Sequence, residues 1–412
     1  MLIDKFKTFF IFNRNHVSCT CIIYQLQMQR FDYIMAGGGL SGLSLAYYMN
    51  QTILREKSIL ILDQDSKTKN DRTWSFWEKG EENAFESVVY RKWKQVYFYG
   101  TDFAEKLQLA PYFYKWMRGI DFYTFVKAEL AKNPNITFRQ EKVARIKDTP
   151  DGGFVITDQN QYLGQYVFDS IYALKLNLPQ QHNMLQHFKG WEITTPTPAF
   201  DVNCPIMMDY RVPQRGLGVR FSYVLPASST RAMVEYTVFS DALLQQSEYD
   251  TELTKYINET LQIPEFSIDQ IEFGIIPMTD EPTPERDGKH VVRIGTAGGY
   301  VKASSGYAFQ RTQRFTQQIV KNLLTVGTPF LPKKSAMKKF KALLDSTLLN
   351  VLLKNRHSGK DVFTALYAKN PTPRLFAFLD EDTSLWQDLQ TMSTVPIWAF
   401  TKGMFDSIKR QI

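Results

Sequence analysis

The sequence predicts an α/β fold in which a parallel-sheet unit is followed by a mixed β-sheet region and a helical C-terminal part. Three observations predict it. An apolar strand pattern, a glycine-rich turn and a helix come early in the chain. Short alternating β-patterns fill the middle, and helical periodicity dominates after residue 311.

Residues 31–36 read as a buried strand. Gly37-Gly38-Gly39-Leu40-Ser41-Gly42 follows, then a helix over 43–49. Residues 58–62 make a second strand ending at Asp63, which completes one βαβ unit. Gly37, Gly39 and Gly42 match G-x-G-x-x-G, with Asp63 about 20 residues further on. Gly37 permits a tight turn, Gly39 lets backbone approach a pyrophosphate, and Gly42 lets the helix pack close to the sheet. Leu40 belongs to this turn, and the helix N-terminus that follows would offer free N–H groups and a positive dipole end to phosphates. Asp63 would hydrogen-bond ribose hydroxyls. Together these describe a Rossmann-like dinucleotide site.

After Asp63 the pattern breaks. Residues 64–117 are rich in Trp, Tyr and Phe and show no crossover helix. Asp121 is expected to cap a helix ending near Leu130, before Pro134-Asn135. Residues 137–139, 142–146 and 153–156 read as short strands, with Asp151-Gly152 as a hairpin turn, and 166–169 as a buried strand. Residues 180–270 look mostly β, most clearly at 205–209, 221–225 and 232–237. Residues 291–295 return to a short buried strand, followed by a glycine-containing turn and a helix. The domain expectation follows this order. Residues 1–29 are a leader, disordered or a non-native start. Residues 30–66, 118–178 and 270–330 form the dinucleotide-binding domain. Residues 67–117 and 179–269 form a substrate domain, and 331–412 a helical C-terminal region.

Composition narrows the function classes. The 412 residues suffice for two units, and 44% hydrophobic residues supply a core. Thirty Phe and 21 Tyr suit either a Phe-rich core or an apolar channel. The net charge of +7 comes without a basic stripe interleaved with aromatics, which argues against a nucleic-acid partner. It fits a solvated basic surface or, more weakly, an anionic lipid surface. Cys19, Cys21 and Cys204 cannot build a disulfide framework and point to a reducing compartment. The lone C-x-C pair and five scattered His predict no metal. No run approaches the ~18–20 apolar residues of a membrane span, so any membrane contact is made from the surface.

The late strand, glycine turn and helix at 291–310 resemble the FAD-binding monooxygenase-like arrangement, where such a segment lies against the ribityl chain and flavin ring. Arg118, just before a helix, is typical of that class. A longer ordered set resembles the lycopene β-cyclase family of bacteria and plants. It comprises Asp71-Arg72-Thr73-Trp74-Ser75-Phe76-Trp77-Glu78, Phe168-Asp169-Ser170, Gln186-His187-Phe188-Lys189-Gly190-Trp191, Met208-Asp209 and Phe221-Ser222-Tyr223-Val224-Leu225-Pro226. It continues through Val234-Glu235-Tyr236-Thr237, Gly274-Ile275-Ile276-Pro277-Met278-Thr279, Gly295-Thr296-Ala297-Gly298-Gly299-Tyr300 and the C-terminal stretch 378–386. Gly295-Thr296 stands where flavin monooxygenases carry Gly-Asp, and Ile171 where the family often has Arg.

The resemblance implies FAD, active when reduced, with NAD(P)H as electron donor. It implies that Gly37, Gly39, Leu40, Gly42, Asp63, Arg118, Gly295, Gly298 and Gly299 hold it. The implied reaction converts the ψ ends of lycopene, or a related carotenoid, to β-rings through acid-initiated cyclisation with no net redox change. Glu235 is then the acid and Asp209 a supporting carboxylate. Arg72, Trp74, Phe76, Trp77 and Glu78 line the substrate pocket. Strand alternation alone leaves open whether Glu235 faces the core or solvent. A bilayer-resident substrate implies a cytoplasmic protein peripherally bound to membrane lipid, with other carotenoid-pathway enzymes as candidate partners. The mixed aromatic and basic segment 396–405 suits such an interface. The alternatives are an FAD-dependent monooxygenase or prenyl reductase acting on an isoprenoid, and a non-catalytic flavin- or carotenoid-binding protein.

Overall fold

A computed structural model describes residues 28–411 except 82, 177 and 217. Nearly all of the expected leader, with Cys19 and Cys21, lies outside the described residues.

An eight-stranded sheet carries the dinucleotide motif. Its parallel centre runs Val291–Arg293, Gln161–Asp169, Gln29–Ala36, Ile59–Asp63 and Ile136–Gln140. Strands buried on both faces read as continuous apolar runs, as Ile59-Leu60-Ile61-Leu62 does. The chain leaves Gln29–Ala36 toward Ile59–Asp63 on one side and returns as Gln161–Asp169 on the other. The crevice between these directions is where open parallel sheets hold ligands. Met35, Leu43, Ala46, Ile61, Phe122 and Phe168 form the core there, joined by Ile319 from the helix Phe309–Val326.

A second, seven-stranded sheet lies beside it. Its order is Ser267–Thr279, Asn183–Thr194, Arg231–Ser240, Val219–Pro226, Ile206–Asp209, Gln95–Tyr99 and Ala104–Gln108. Strand alternation gives it two distinct faces. Phe221, Tyr223, Met233 and Phe239 face a core completed by Leu349, Phe363, Tyr367 and Phe376 from the C-terminal helices. Trp191, Val234, Tyr236 and Val238 face the helix Gln246–Lys255 and its π-helical extension Tyr256–Thr260. The strand Ser267–Thr279 belongs to this sheet over its whole length, so the boundary expected at 270 falls inside it.

The aromatic stretch after Asp63 divides between two sheets. Thr73–Lys79, Tyr112–Arg118 and Arg91–Trp93 form a three-stranded sheet of their own, while Gln95–Tyr99 and Ala104–Gln108 extend the second sheet. The helix expected from Asp121 spans Gly119–Leu130 and starts earlier: Arg118 is its N-cap, and Asp121 sits in the first turn. The carboxylate of Asp121 is turned back onto Arg118, which explains the misplaced cap.

Candidate active site

The glycine motif builds a phosphate-sized cradle from backbone. Gly37 has φ +109°, a conformation that L side chains rarely adopt, and its N–H donates to the Leu62 carbonyl at 2.8 Å. Gly42 is pressed against the sheet: a Cβ there would stand 2.0 Å from the Gly37 carbonyl oxygen. Gly39 behaves oppositely, since a Cβ built on it meets nothing within 4 Å. The helix Leu40–Asn50 therefore starts at open space, with no side chain capping it. Its first N–H groups, with the dipole behind them, suit a pyrophosphate. Asp63 accepts from Gly38 N–H at 2.7 Å and Asp65 N–H at 2.8 Å, so it fixes the loop.

The late glycine segment meets the motif. Gly295, at φ +62°, approaches so closely that a Cβ would lie 2.5 Å from Ser41 Oγ. Gly298 hugs the Arg293 carbonyl, where a Cβ would lie 2.4 Å away, and Gly299, at φ +73°, ends the turn in the left-handed region. Ser170 closes the group, with its Oγ donating to the Ala36 carbonyl at 2.9 Å. Gly37, Leu40, Gly42, Gly295 and Ser170 thus share the carboxyl end of the parallel strands, a donor set that fits a dinucleotide. Arg118 is committed elsewhere, clamped by Asp121 at 2.6 and 2.8 Å and lying over the Tyr90 ring at 4.0 Å.

From Gly299 the chain loops to the second sheet. Lys302 is buried and anchors this loop to the C-terminal helices through Asp345 at 2.9 Å and Glu381 at 3.2 Å. Gly306, at φ +72°, lies against Gln186. Tyr307 meets Trp77 edge-on at 4.4 Å, and Trp77 stacks on Phe376 at 4.5 Å.

Glu235 lies on the face that this loop covers. Register places Glu272, Gly190, Glu235 and Tyr223 in one row across four strands. A Cβ on Gly190 would stand 3.6 Å from Glu235 Cβ and 3.0 Å from Met233 Sδ, so glycine leaves room for the acid. Glu235 accepts one hydrogen bond, from Thr237 Oγ1 at 2.6 Å, and among the described residues no Lys or Arg pairs with it. It is surrounded by protein on all sides yet keeps part of its surface open. Burial pushes its carboxyl up to about 8, against the Thr237 hydrogen bond and with help from the Glu272 charge. Glu272 is also raised by burial, opposed by Thr73 and Arg72. One of its oxygens accepts Thr73 N–H at 3.0 Å, and the other is buried without a partner. The buried hydroxyls of Tyr114, Tyr307 and Tyr223 face one another beside Glu235, so this side of the sheet carries polar groups with no charged partner.

Several expected neighbours are placed elsewhere. Asp209 points to the opposite face, where it accepts from Arg211 at 2.6 Å and from the Tyr256 hydroxyl at 2.8 Å. It is a structural ion-pair member, not a carboxylate beside Glu235. Of the expected pocket residues on the strand Thr73–Lys79, Trp77 packs on Tyr307 of the loop. Trp74 packs on Phe122 and Phe76 stacks on Phe309 at 4.1 Å, both in the core of the first sheet. Glu78 joins Glu86 around the buried Lys115 ammonium at 2.7 and 2.5 Å. Arg72 is exposed, and it touches the site only through its charge on Glu272. Conversely, Glu272 and Tyr307 were not among the expected site residues, and Ser170 stood only within the Phe168-Asp169-Ser170 string. An acidic residue alternating with Ile271 and Phe273 was the available signal for Glu272. Among the described residues no cluster of His, Cys, Asp and Glu could hold a metal ion.

A family model described as lycopene cyclase protein matches residues 32–405. No curated protein matches the chain. Solved structures share its fold. A geranylgeranyl bacteriochlorophyll reductase-like protein from Thermoplasma acidophilum is 14% identical, with 91% of this chain and 98% of that one covered at TM-score 0.60. A flavoprotein/dehydrogenase from Cytophaga hutchinsonii is 12% identical, covering 91% and 99% at TM-score 0.59. The flavin-dependent brominase Bmp2 is 10% identical, covering 86% and 94% at TM-score 0.56. At these identities the likeness is one of fold.

Proposed function

Because this chain belongs to the lycopene cyclase family, we propose that it is an FAD-dependent lycopene β-cyclase, closing ψ end groups of a linear carotenoid into β-rings. The observation that supports this reading is Glu235: a carboxyl raised to about 8, unpaired by any cation among the described residues, on the sheet face covered by the loop that follows the glycine turn Gly295–Gly299.

Gly37, Leu40, Gly42, Ser170 and the turn Gly295–Gly299 would hold the cofactor. A reduced flavin bound there would supply negative charge toward a carbocation. The remaining chemistry belongs to this chain's own side chains. Glu235, protonated at neutral pH, donates its proton to the terminal double bond. The aromatic faces of Tyr223, Tyr307 and Trp77 stabilise the resulting cation and keep water out. The next double bond attacks, the ring bond forms, and loss of a ring proton leaves the β-ring. One proton enters and one leaves, so there is no net redox change.

The test is expression in lycopene-accumulating cells with chromatographic pigment analysis. Appearance of γ-carotene and β-carotene is the expected result. Unchanged lycopene with flavin bound and reduced removes the assignment. Reduced nicotinamide consumed once per product would instead indicate a monooxygenase or a prenyl reductase.

A substrate dissolved in lipid calls for docking on the cytoplasmic membrane surface. No helix among the described residues is long and apolar enough to cross a membrane. The helices Leu385–Met392 and Ile397–Gln411 support surface docking, with Trp386 69% and Trp398 80% exposed beside exposed Leu389, Ile397 and Phe405. Lys402 and Lys409 add basic charge on the second helix. Ala399 and Phe400 from the same segment pack inward. Replacing Trp386 and Trp398 by Ser should reduce co-sedimentation with anionic vesicles, and unchanged binding would discard this surface.

A further inference from the structure

The proposed cyclisation leaves one question to the protein: which group takes the ring proton. The second sheet offers one answer. Glu272 lies in the same row as Glu235, on the same face, with only Gly190 between them. Two strand spacings put their Cα atoms about 9.6 Å apart, and the intervening Gly190 brings no side chain of its own, its surface being covered by Met233 Sδ and the Glu235 stem. Glu272 is 5% exposed. Thr73 N–H holds one carboxyl oxygen at 3.0 Å, while the other is buried and unpartnered. Besides Glu235, the charged groups facing it are Arg72 and Asp71, from the segment packed on its strand.

We propose that Glu272 is the base that removes the ring proton, so that Glu235 and Glu272 act as a donor–acceptor pair across Gly190. This rests on the cyclase reading. The balance closes without another reactant. The Glu235 O–H bond breaks as a C–H bond forms at the terminal double bond. The next π pair makes the ring C–C bond and moves the positive charge onto the ring carbon. A neighbouring C–H bond breaks, its electron pair becomes the ring double bond, and the proton passes to the free oxygen of Glu272. Return of that proton to Glu235 resets the pair. Burial raises the proton affinity of Glu272, which suits a base. Because a ring cation can lose protons from different flanking carbons, the position of the base also selects the ring isomer.

The test uses the full chain with reduced FAD and lycopene in phosphatidylcholine vesicles in D2O, comparing wild type, Glu272→Gln, Glu272→Asp and Glu235→Gln. Gln at 272 retains an acceptor for Thr73 N–H. Glu272→Gln should lower β-ring formation at least about a hundredfold. The initial protonation should survive it, so recovered lycopene carries deuterium or the rings that form have their double bond displaced. Glu272→Asp should restore part of the rate, and Glu235→Gln should abolish both deuterium uptake and rings. Wild-type β-ring yield from Glu272→Gln overturns the proposal, as does a slow variant giving only β-rings and undeuterated lycopene. Wild type that forms no ring at all refutes the cyclase reading instead, and the base assignment falls with it.

Discussion

Asp209 and Glu235 lie on opposite faces of the second sheet, and these two carboxylates are handled in opposite ways. Asp209 has a guanidinium and a tyrosine hydroxyl on its oxygens. Glu235 has one threonine hydroxyl and a second carboxylate along its row. Burial alone therefore does not mark a chemical acid. An arginine partner makes a buried carboxylate an ion-pair element of the fold, whereas removal from water without a cation leaves a proton on it at neutral pH. The sheet is shared, but the two residues lie on different strands and leave it on opposite faces.

The sharpest way to break this contrast is exchange of the acid. Glu235→Gln should lower ring closure at least about a hundredfold while the chain still binds FAD, as judged by pigment yield and flavin absorbance. Normal yield would make the two faces equivalent. The next effect is in pH. The folded-state pKa of Glu235 is raised from 4.5 to about 8, so the folded chain holds a proton that the unfolded chain has given up. Its contribution to stability is present below the lower value and is lost as pH rises toward the upper one. Glu235→Gln removes that loss and should gain on wild type by on the order of a few kcal/mol between these limits, read from urea unfolding. Ring closure by wild type should decline above pH of about 8 for the same reason. Asp209→Asn should lower stability by about 1–3 kcal/mol, a range discounted because Arg211 is partly exposed. Turnover per folded molecule should not change; a catalytic loss there would restore Asp209 to the site. The smallest effect is Tyr307→Phe, which removes a buried hydroxyl facing only the Tyr114 and Tyr223 hydroxyls and should shift stability by less than about 1 kcal/mol.

What was legible in the amino-acid string follows from the range of the forces involved. Gly37, Gly39 and Gly42 answer to backbone conformation and close packing over six residues, so their spacing announced the crevice. The buried strand at 59–62 and the C-terminal helices were legible for the same local reason. Direction across a sheet is not local. Glu235 faces the loop-covered side because its strand is registered between Asn183–Thr194 and Val219–Pro226, and nothing within Val234-Glu235-Tyr236 states that register. The same blindness grouped Trp74 and Phe76 with Trp77, although the odd and even positions serve two different cores. Glu272 escaped notice because its significance comes from a glycine on the neighbouring strand. Asp121 was misread because an acidic residue in the first helical turn and an acidic cap look alike in sequence.

The anchoring of Lys302 by Asp345 and Glu381, with Phe376 against Trp77, has a consequence in time. A ribosome delivers the N-terminal part of a chain first. Every strand of the eight-stranded sheet has been made once Arg293 has been added. The wall around Glu235 needs partners that emerge last. A nascent or truncated polypeptide lacking Glu381 thus has every strand of the nucleotide-motif sheet but lacks part of the anchor that holds the loop over Glu235.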